Sequence, residues 1–394
     1  MKQRLHVLVA HESYLLRGGE DRVVESEVAL LRDQGHRVTL LSRHNAELGG
    51  MHPLKLLQQT FWSRRTTEAF TQLHRDHPID VVHVHNTLPL ISPSIYWAAA
   101  RHRVPVVQTL HNFRLLCPQA MFLRDGKFCE DCLGKVPWRG AIRRCYRGSV
   151  SDSTVMASML TFHRGIGTWD RRIQRYIALN HFSRDKFVQG GLPPDRVVVK
   201  PNFVADRGEP DPDIARAGFL YVGRLSPEKG TRTLAEAFAS LSPDVALRVA
   251  GAGPDEALLG TVCPSAVALG ELDAVQVHRE MLRASALVVP SISYGDITLV
   301  ALEAFAAGLP VIASRTGALA EAVEDGVSGL LFDPGNPADL AQRVRWALAH
   351  PREMRRMGEA ARQRFVQIYS AAPNYQRLLE IYGMAASACA APQA

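Results

Sequence analysis

Long hydrophobic runs are missing from this chain of 394 residues. No uninterrupted apolar stretch approaches the ~20 residues that a membrane span needs, and the first run, residues 5–10, is too short for a secretory signal. The content of 46% hydrophobic and 22% charged residues is ordinary, which excludes disordered, collagen-like and coiled-coil proteins. We therefore expect a cytoplasmic globular protein of two or three domains, at roughly 150 residues per domain.

Cysteine is also scarce, with six residues, but four of them are clustered. They are Cys117, Cys129, Cys132 and Cys145, in the pattern C-x11-C-x2-C-x12-C. A C-x2-C pair with two further thiols nearby is typical of a tetrahedral structural zinc site, although the outer spacings fit no common zinc finger. Reduced free thiols are the alternative, and disulfides are less expected in the cytoplasm. We predict a structural zinc ion here.

Positive charge is unevenly distributed along the chain. Residues 1–200 contain 29 basic and 17 acidic residues, residues 201–394 contain 17 and 22, and the excess peaks at residues 101–150 with 10 against 3. This asymmetry indicates an anionic partner of the first half, for which an anionic membrane surface and a phosphorylated substrate are the main candidates. Residues 55–75 and 138–147, which mix basic and aromatic side chains, could face lipid, or could be an ordinary solvated surface. We expect no nucleic acid, since no motif that reads it is present.

Short apolar, β-branched runs alternate with helical patterns through most of the chain. This alternation predicts an α/β fold with parallel sheets covered by helices. Residues 202–218 contain proline and no apolar periodicity, and the alternation starts again after them. We predict two Rossmann-like domains, residues 1–205 with a cysteine-rich insert at 113–147, and residues 206–370. Residues 371–394 are predicted to form a helix that returns to the first domain, with a flexible tail from residue 385.

Three segments contain residues suited to phosphate and sugar chemistry. Gly18 and Gly19 separate the first strand from the first helix, where a backbone without side chains can approach phosphate. Arg224 and Lys229 lie in VGRLSPEKG after the first strand of the second half, where two cations suit a diphosphate. Glu303, in the helix LVALEAFAAG, could bind a ribose diol. A tight turn, a surface salt-bridge loop and an exposed helix carboxylate are the respective alternatives.

The segments VGRLSPEKG and LEAFAAGLPVIAS, with DVVHVHN and PVVQTLHN in the first half, resemble glycosyltransferase family 4 in the order of that family. The resemblance implies the GT-B architecture, two Rossmann-like domains whose parallel sheets face each other across a cleft. It also implies retaining transfer of a hexosyl unit from a nucleotide-sugar, UDP- or GDP-linked, to a hydroxyl acceptor. Polysaccharide or glycolipid assembly, a lipid-linked acceptor, peripheral membrane location and catalysis without a metal are the further expectations.

The resemblance also implies roles for individual residues. Arg224 and Lys229 match the pair that holds the donor diphosphate, and Glu303 matches the second glutamate of the family motif, which binds the ribose. His111 matches a histidine that faces the donor sugar, although a buried structural histidine would give the same local pattern. The implied donor-binding residues are Gly18, Gly19, Arg224, Lys229, Asp296, Thr298, Leu299, Val300 and Glu303; the implied catalytic residues are His111, Arg224 and Lys229.

One position departs from the family motif. The first glutamate of the motif should stand eight residues before Glu303, where this chain has Gly295 followed by Asp296. Since that glutamate normally contacts the donor sugar, its absence leaves a different donor, or a non-catalytic protein that binds nucleotide-sugars, as alternatives. Asp296 could substitute only after a small shift of the loop. A sugar-nucleotide epimerase of the same architecture is a third alternative.

Overall fold

The chain folds into two compact units. The computed structural model describes residues 4–15, 17–211, 214–294 and 299–390. Unit 1 comprises Met1–Ala120, Glu130–Pro201 and Asn374–Ala394, and unit 2 comprises Met121–Cys129 and Asn202–Pro373. Each unit contains a six-stranded parallel sheet covered by helices, which confirms the predicted α/β class with two Rossmann-like units.

Strands and helices alternate along the chain as the apolar pattern predicts. The elements before the linker are β1 (His6–Ser13), α1 (Gly19–Asp33), β2 (Arg37–His44), α2 (Pro53–Phe61), α3 (Arg64–Asp76), β3 (Val81–Asn86), α4 (Ser94–Arg101), β4 (Val106–Leu110), β5 (Leu123–Arg124), β6 (Lys127–Phe128), α5 (Trp138–Ile142), α6 (Val150–Gly165), α7 (Thr168–Arg171), β7 (Arg175–Ala178), α8 (His181–Gln189) and β8 (Val197–Val199).

The second half repeats the alternation and ends in a group of helices. Its elements are β9 (Phe219–Val222), α9 (Thr231–Ala239), β10 (Leu247–Ala250), α10 (Glu256–Val262), β11 (Val267–Gly270), α11 (Ala274–Arg283), β12 (Ala286–Val289), α12 (Leu299–Ala306), β13 (Val311–Ser314), α13 (Gly317–Ala322), β14 (Gly329–Phe332), α14 (Pro337–Ala349), α15 (Pro351–Arg364) and α16 (Ala371–Ala390). A π-helical turn, Phe365–Tyr369, connects α15 to the segment before α16. Within the described residues, none of these helices is long and apolar enough to cross a membrane.

The sheet of unit 1 has the order β2-β1-β3-β4-β7-β8. Its strands are apolar on both faces because helices cover both, as in other parallel sheets. Helix α16 completes this core, since Leu378, Ile381 and Tyr382 are buried with residues of β1, β3 and α1. The expectation of a flexible tail from residue 385 is wrong for residues 385–390, which continue α16; Ala385 is itself fully buried.

The sheet of unit 2 has the order β11-β10-β9-β12-β13-β14. Unit 2 also contains the antiparallel hairpin of β5 and β6. The sequence predicts that the whole insert 113–147 belongs to the first domain, whereas the structure places Met121–Cys129 in unit 2. The physical reason is aromatic packing, because Phe122 and Phe128 both contact the ring of Tyr294.

Candidate functional site

The segment from Gly223 to Gly230 forms the loop between β9 and α9, at the carboxyl edge of the unit 2 sheet. Arg224 is exposed and Lys229 is half-buried. The Tyr221 hydroxyl donates to the carbonyl oxygen of Arg224 at 2.7 Å, which fixes the backbone beneath the guanidinium group. The structure thus places both predicted cations on one short loop, where ligands of open α/β sheets bind.

Neighbouring backbone holds this loop on both sides. On one side, Gly223 N–H donates to Ala250 O at 2.9 Å and Leu225 N–H to Ala252 O at 3.0 Å; on the other, Ile292 N–H donates to Glu228 O at 3.0 Å. The second contact joins the loop of Arg224 to the loop that follows β12. The two loops of the predicted donor site are therefore parts of one hydrogen-bonded structure.

Two glycines make this close approach of loops feasible. Gly251 has φ +136°, and a Cβ there would overlap the carbonyl oxygen of Gly223. Gly230 has φ +75°, and a Cβ there would overlap the carbonyl oxygen of Pro290. Sequence reasoning missed Gly251, although the run Ala250-Gly251-Ala252-Gly253 directly after a strand is a signal of close backbone contact.

Helix α12 contains the remaining predicted residues of the donor site. Leu299 and Val300 form its first two positions and are partly buried, and Glu303 is half-buried one turn later. Asp296 and Thr298 lie outside the described residues, as does Gly295, the position that differs from the family motif. The binding roles of these residues stay predictions.

An aromatic stack that the sequence did not indicate lies next to this segment. The rings of Phe128 and Tyr294 are stacked with centroids 4.2 Å apart and an interplanar angle of 13°. Phe128 remains 42% exposed. The hairpin of the cysteine-rich insert therefore packs against the last described residue before the donor loop, and nothing local in the sequence of either segment indicates that pairing.

In unit 1 the first glycine pair lies where the sequence places it. Gly18 is the N-cap of α1, at the end of the connection that follows β1, and its N–H donates to Asp21 Oδ2 at 2.8 Å. Asp21 also accepts from His11 Nε2 through Oδ1, at 2.8 Å. This turn is held by side chains of unit 1, and a role of Gly18 and Gly19 in binding phosphate stays a prediction.

His111 follows β4 directly and is 8% exposed. Its Nε2 lies 2.9 Å from Nδ1 of His85, which belongs to the adjacent strand β3, and the two rings are stacked with centroids 5.1 Å apart. Burial, and after it the neighbouring His85, hold the pKa of His111 well below its usual range. His111 is therefore a neutral imidazole, with one nitrogen occupied by His85.

Beneath this pair lies a buried charged group that sequence reasoning missed. Glu27 Oε1 is 2.9 Å from His83 Nδ1 and 3.5 Å from His85 Nε2, and Glu27 Oε2 is 3.0 Å from Lys200 Nζ. Lys200 also donates to Asn374 Oδ1 of α16 at 2.9 Å. The only sequence signal was the concentration of histidines in DVVHVH.

Among the described residues, Glu27, His83 and His85 form the one group of three or more metal-type ligand atoms within 4.8 Å of one another. The Lys200 ammonium already supplies a buried positive charge to the same carboxylate. We interpret the group as a charged cluster in which Lys200 donates to Glu27 Oε2, whereas Glu27 Oε1 faces the two histidine rings without a hydrogen bond. Burial alone would raise the pKa of Glu27, but Lys200 and His83 hold it well below its usual range.

The structure has no disulfide at Cys117, Cys129, Cys132 or Cys145, all of which it describes. Cys129 belongs to unit 2, whereas Cys117, Cys132 and Cys145 belong to unit 1. Those last three, all described, do not form a group of ligand atoms within 4.8 Å. Zinc binding by the four cysteines stays a prediction.

Glu12, at the carboxyl end of β1, is a second buried acid of unit 1. Its Oε2 accepts from the N–H groups of Leu90 and Ile91 at 2.7 and 3.2 Å, and the side chain has no exposed surface. Burial raises the pKa of Glu12 to about 7, although both backbone bonds oppose the shift. Between about pH 4.5 and about pH 7, the folded protein therefore holds a proton on Glu12 that the unfolded chain has already lost.

This predicts a specific pH dependence of stability. Because the folded-state pKa is raised, the contribution of Glu12 falls as pH rises from the unfolded to the folded pKa. The free energy of unfolding should drop by about 2–3 kcal/mol between pH 5 and pH 8 from this group. Glu12→Gln should flatten that part of the profile in urea titrations, whereas Glu68→Gln, at an exposed position of α3, should not. An unchanged slope in Glu12→Gln would contradict the assignment.

Comparisons with known proteins agree with this architecture. The family model "Glycosyl transferase 4-like domain" matches residues 18–202 and "Glycosyl transferases group 1" matches residues 209–364. Glycogen synthase of Mycobacterium tuberculosis is 39% identical over 162 residues, 39% of each chain. Alpha-maltose-1-phosphate synthase of Mycolicibacterium smegmatis is 31% identical over 239 residues, 52% of this chain and 62% of that one. The matches thus span less than two thirds of these relatives.

Among solved structures, Anabaena Alr3699/HepE in complex with UDP superposes with a TM-score of 0.68 at 17% identity, covering 96% of this chain and all of the other. Its complex with UDP-glucose gives 0.66, also at 17% identity, with 96% and 99% covered. Two Rossmann-like units with six-stranded parallel sheets are the GT-B architecture, which this chain shares with these structures. Because both family models match in order along the sequence, this chain belongs to the GT-B glycosyltransferases of the family 4 type.

Proposed function

We propose that this protein transfers a hexosyl unit from a nucleotide-sugar to a hydroxyl acceptor, with retention at the anomeric carbon, in the assembly of a polysaccharide or glycolipid. The observation that carries the proposal is the loop of Arg224 and Lys229 at the carboxyl end of β9, joined by Ile292 N–H to the loop after β12. Two cations on a loop held by backbone hydrogen bonds are suited to bind a diphosphate that gains negative charge as it leaves.

In the proposed reaction, the bond between the anomeric carbon and the donor diphosphate breaks. The acceptor oxygen forms its bond on the same face of the sugar, and its proton passes to a departing diphosphate oxygen. Arg224 and Lys229 stabilise the developing negative charge, so the proposal requires no catalytic metal. His111, neutral because it is buried, accepts or donates a hydrogen bond at a sugar hydroxyl.

UDP-linked sugars are the first donors to examine. Support comes from the GT-B neighbour solved with UDP and with UDP-glucose, although at 17% identity that likeness extends to the fold alone. Glu303, one turn into α12, is the proposed partner of the ribose diol. GDP-linked sugars are the alternative donors.

The test is a calorimetric titration with UDP-, GDP-, ADP- and dTDP-glucose, followed by an assay for release of the nucleoside diphosphate with and without candidate acceptors. Binding of one donor and acceptor-dependent release would support the proposal. Binding without turnover would instead favour the non-catalytic alternative that Gly295 motivates. Epimer formation without an acceptor would favour the epimerase, and the absence of binding by every donor would contradict all three.

The proposal includes a peripheral membrane surface on unit 1, through which a lipid-linked acceptor would be reached. Trp138 and Ile142 on the short helix α5 are 54% and 67% exposed, and Arg144 beside them is exposed. On α2, Leu54 is 70% exposed next to exposed Lys55. Exposed apolar side chains flanked by cations are typical of surfaces that bind anionic lipid.

We expect the full chain to sediment with vesicles of phosphatidylglycerol at low salt and to be released as salt is raised. Reversing Arg143 and Arg144 to glutamate should weaken this binding by at least about tenfold, at roughly 1 kcal/mol per charge near the surface. The matched control reverses Arg352 and Arg355, exposed on α15 of unit 2, and should bind like the unchanged protein. Equal binding by both variants would contradict the assignment of this surface.

A further inference from the structure

We propose that Glu27 and His85 are positioning residues that fix the tautomer of His111, protonated on Nε2, so that its Nδ1 is a hydrogen-bond acceptor for a sugar hydroxyl. The role toward sugar rests on the proposed function of His111, whereas the tautomer itself can be observed without any substrate.

The starting point is an ionised carboxylate. Glu27 is 2% exposed, and its Oε2 lies 3.0 Å from the ammonium group of Lys200, itself 1% exposed. A buried ammonium and a buried carboxylate at this distance stabilise each other's charged forms. An ionised carboxylate accepts hydrogen bonds and cannot donate them. Every N–H group that faces Glu27 is thereby favoured as a donor.

His85 is the next residue outward. Its two ring nitrogens face different groups, Nε2 towards Glu27 Oε1 at 3.5 Å and Nδ1 towards His111 Nε2 at 2.9 Å. Burial lowers the pKa of His85 to about 3, so the ring carries one proton at neutral pH. The two atoms make no hydrogen bond, so the preference is electrostatic. With the proton on Nε2, the positive end of the N–H group faces the carboxylate; with the proton on Nδ1, a lone pair would face it. The favoured tautomer is Nε2–H, which leaves Nδ1 as an acceptor.

His111 completes the relay. Because His85 Nδ1 is an acceptor, the nitrogen opposite it, His111 Nε2, must carry the proton of the 2.9 Å hydrogen bond. His111 is neutral, so its second nitrogen, Nδ1, bears a lone pair. Within the described part of the chain, no hydrogen-bond partner of that nitrogen is found. Its lone pair is therefore available to a hydroxyl group.

The remaining contacts of Glu27 agree with this polarity. His83, on the same strand as His85, lies with Nδ1 2.9 Å from Glu27 Oε1 and Nε2 2.8 Å from the Thr109 hydroxyl. Tyr382 of α16 lies 2.8 Å from the same Nδ1 of His83. A hydroxyl can accept or donate as required, so these groups accommodate either state of His83 and impose no opposite direction on His85.

The experiment is a long-range ¹H–¹⁵N NMR spectrum of the full chain labelled with ¹⁵N at histidine, without ligand, which distinguishes ring nitrogens with and without a proton. The signals of His111 and His85 are assigned by their loss in His111→Gln and His85→Gln. We expect both rings to show the Nε2–H pattern. An Nδ1–H pattern at His111 would overturn the proposal, whether or not the protein turns over a donor.

Two substitutions test whether His85 sets the tautomer. In His85→Gln, the carboxamide oxygen can still accept from His111 Nε2 while its NH₂ group faces Glu27, so the Nε2–H pattern of His111 should persist. In His85→Phe there is no acceptor, and the single-tautomer pattern should be lost. His163 is the internal control, because its Nε2 lies 2.9 Å from the carbonyl oxygen of Phe61, outside this network. Its signals should stay unchanged in both variants, which shows that unit 1 is folded.

A kinetic measurement separates this proposal from the proposed function. If the protein turns over a nucleotide-sugar, His85→Phe should lower kcat by at least about tenfold while leaving the donor Kd within twofold, and His85→Gln should recover most of kcat. Retention of the His111 tautomer in His85→Phe would overturn the positioning role. Expected spectra without turnover of any donor would reject the proposed function and leave the tautomer assignment intact.

Discussion

Arg224→Ala is expected to reduce kcat/KM for nucleotide-sugar turnover by about 30- to 1000-fold, or on the order of 2–4 kcal/mol of transition-state stabilisation. The guanidinium group is exposed on a loop whose backbone is fixed by Tyr221, Ala250 and Ala252. Because the loop geometry depends on backbone contacts, removing the side chain should leave the fold unchanged and delete the charge. The measurement is steady-state release of the nucleoside diphosphate, combined with donor Kd from calorimetry.

Two comparisons make this prediction specific. Arg224→Lys should recover only part of the loss, since lysine supplies a point charge where arginine can bind a diphosphate with two parallel hydrogen bonds. Arg232→Ala removes an exposed arginine of α9 that pairs with Glu236, and it should leave turnover within twofold of the unchanged protein. Full activity of Arg224→Ala would show that the diphosphate is held elsewhere.

Lys200→Met is expected to lower the free energy of unfolding by about 3–5 kcal/mol, because it leaves Glu27 buried without its cation. Lys200 also donates to Asn374, so the substitution removes a hydrogen bond between α16 and the rest of unit 1. Urea denaturation followed by tryptophan fluorescence would report this, since Trp62, Trp97, Trp138 and Trp169 lie in unit 1 and only Trp346 in unit 2.

A double substitution supplies the sharper comparison. Glu27→Gln combined with Lys200→Met removes both charges and should be clearly more stable than Lys200→Met alone, because a buried pair costs most when one partner is left unpaired. Arg232→Ala, which breaks an exposed ion pair, should change stability by less than about 1 kcal/mol. A loss below about 1 kcal/mol in Lys200→Met would mean that Glu27 takes up a proton instead of remaining charged.

The fold could be predicted from the sequence where the signal is local. Apolar, β-branched runs such as residues 81–85 and 286–289 become buried parallel strands, and the proline-containing stretch after residue 201 separates the two units. The sequence of residues 54–74 favours one long helix, but the structure has two there, α2 and α3. The apolar pattern continues through the break, but Ser63 caps the second helix by accepting from Thr66 N–H at 3.3 Å.

The candidate site could likewise be predicted only where its residues lie close together in sequence. Arg224 and Lys229 were recognisable because strand, loop and helix follow one another directly in sequence. The contacts of Glu27 with His85 and Lys200 could not be recognised in the sequence, because they depend on the strand order and on the packing of helix α1 against the sheet. The hairpin of β5 and β6 escaped prediction for the same reason, because the contact between Phe128 and Tyr294 joins segments far apart in the chain.

Unit 1 is discontinuous, and this determines when it can finish folding during synthesis. Asn374 and Tyr382, which contact Lys200 and His83, are translated only after every residue of unit 2. On the ribosome, unit 1 therefore lacks the contacts of α16 until unit 2 has been synthesised. During that time His83 has no contact with Tyr382, and part of the apolar core of unit 1 is uncovered. During that interval, a chaperone that recognises exposed apolar surface would bind the part of the unit 1 core that α16 later covers. Its release would come with the arrival of α16.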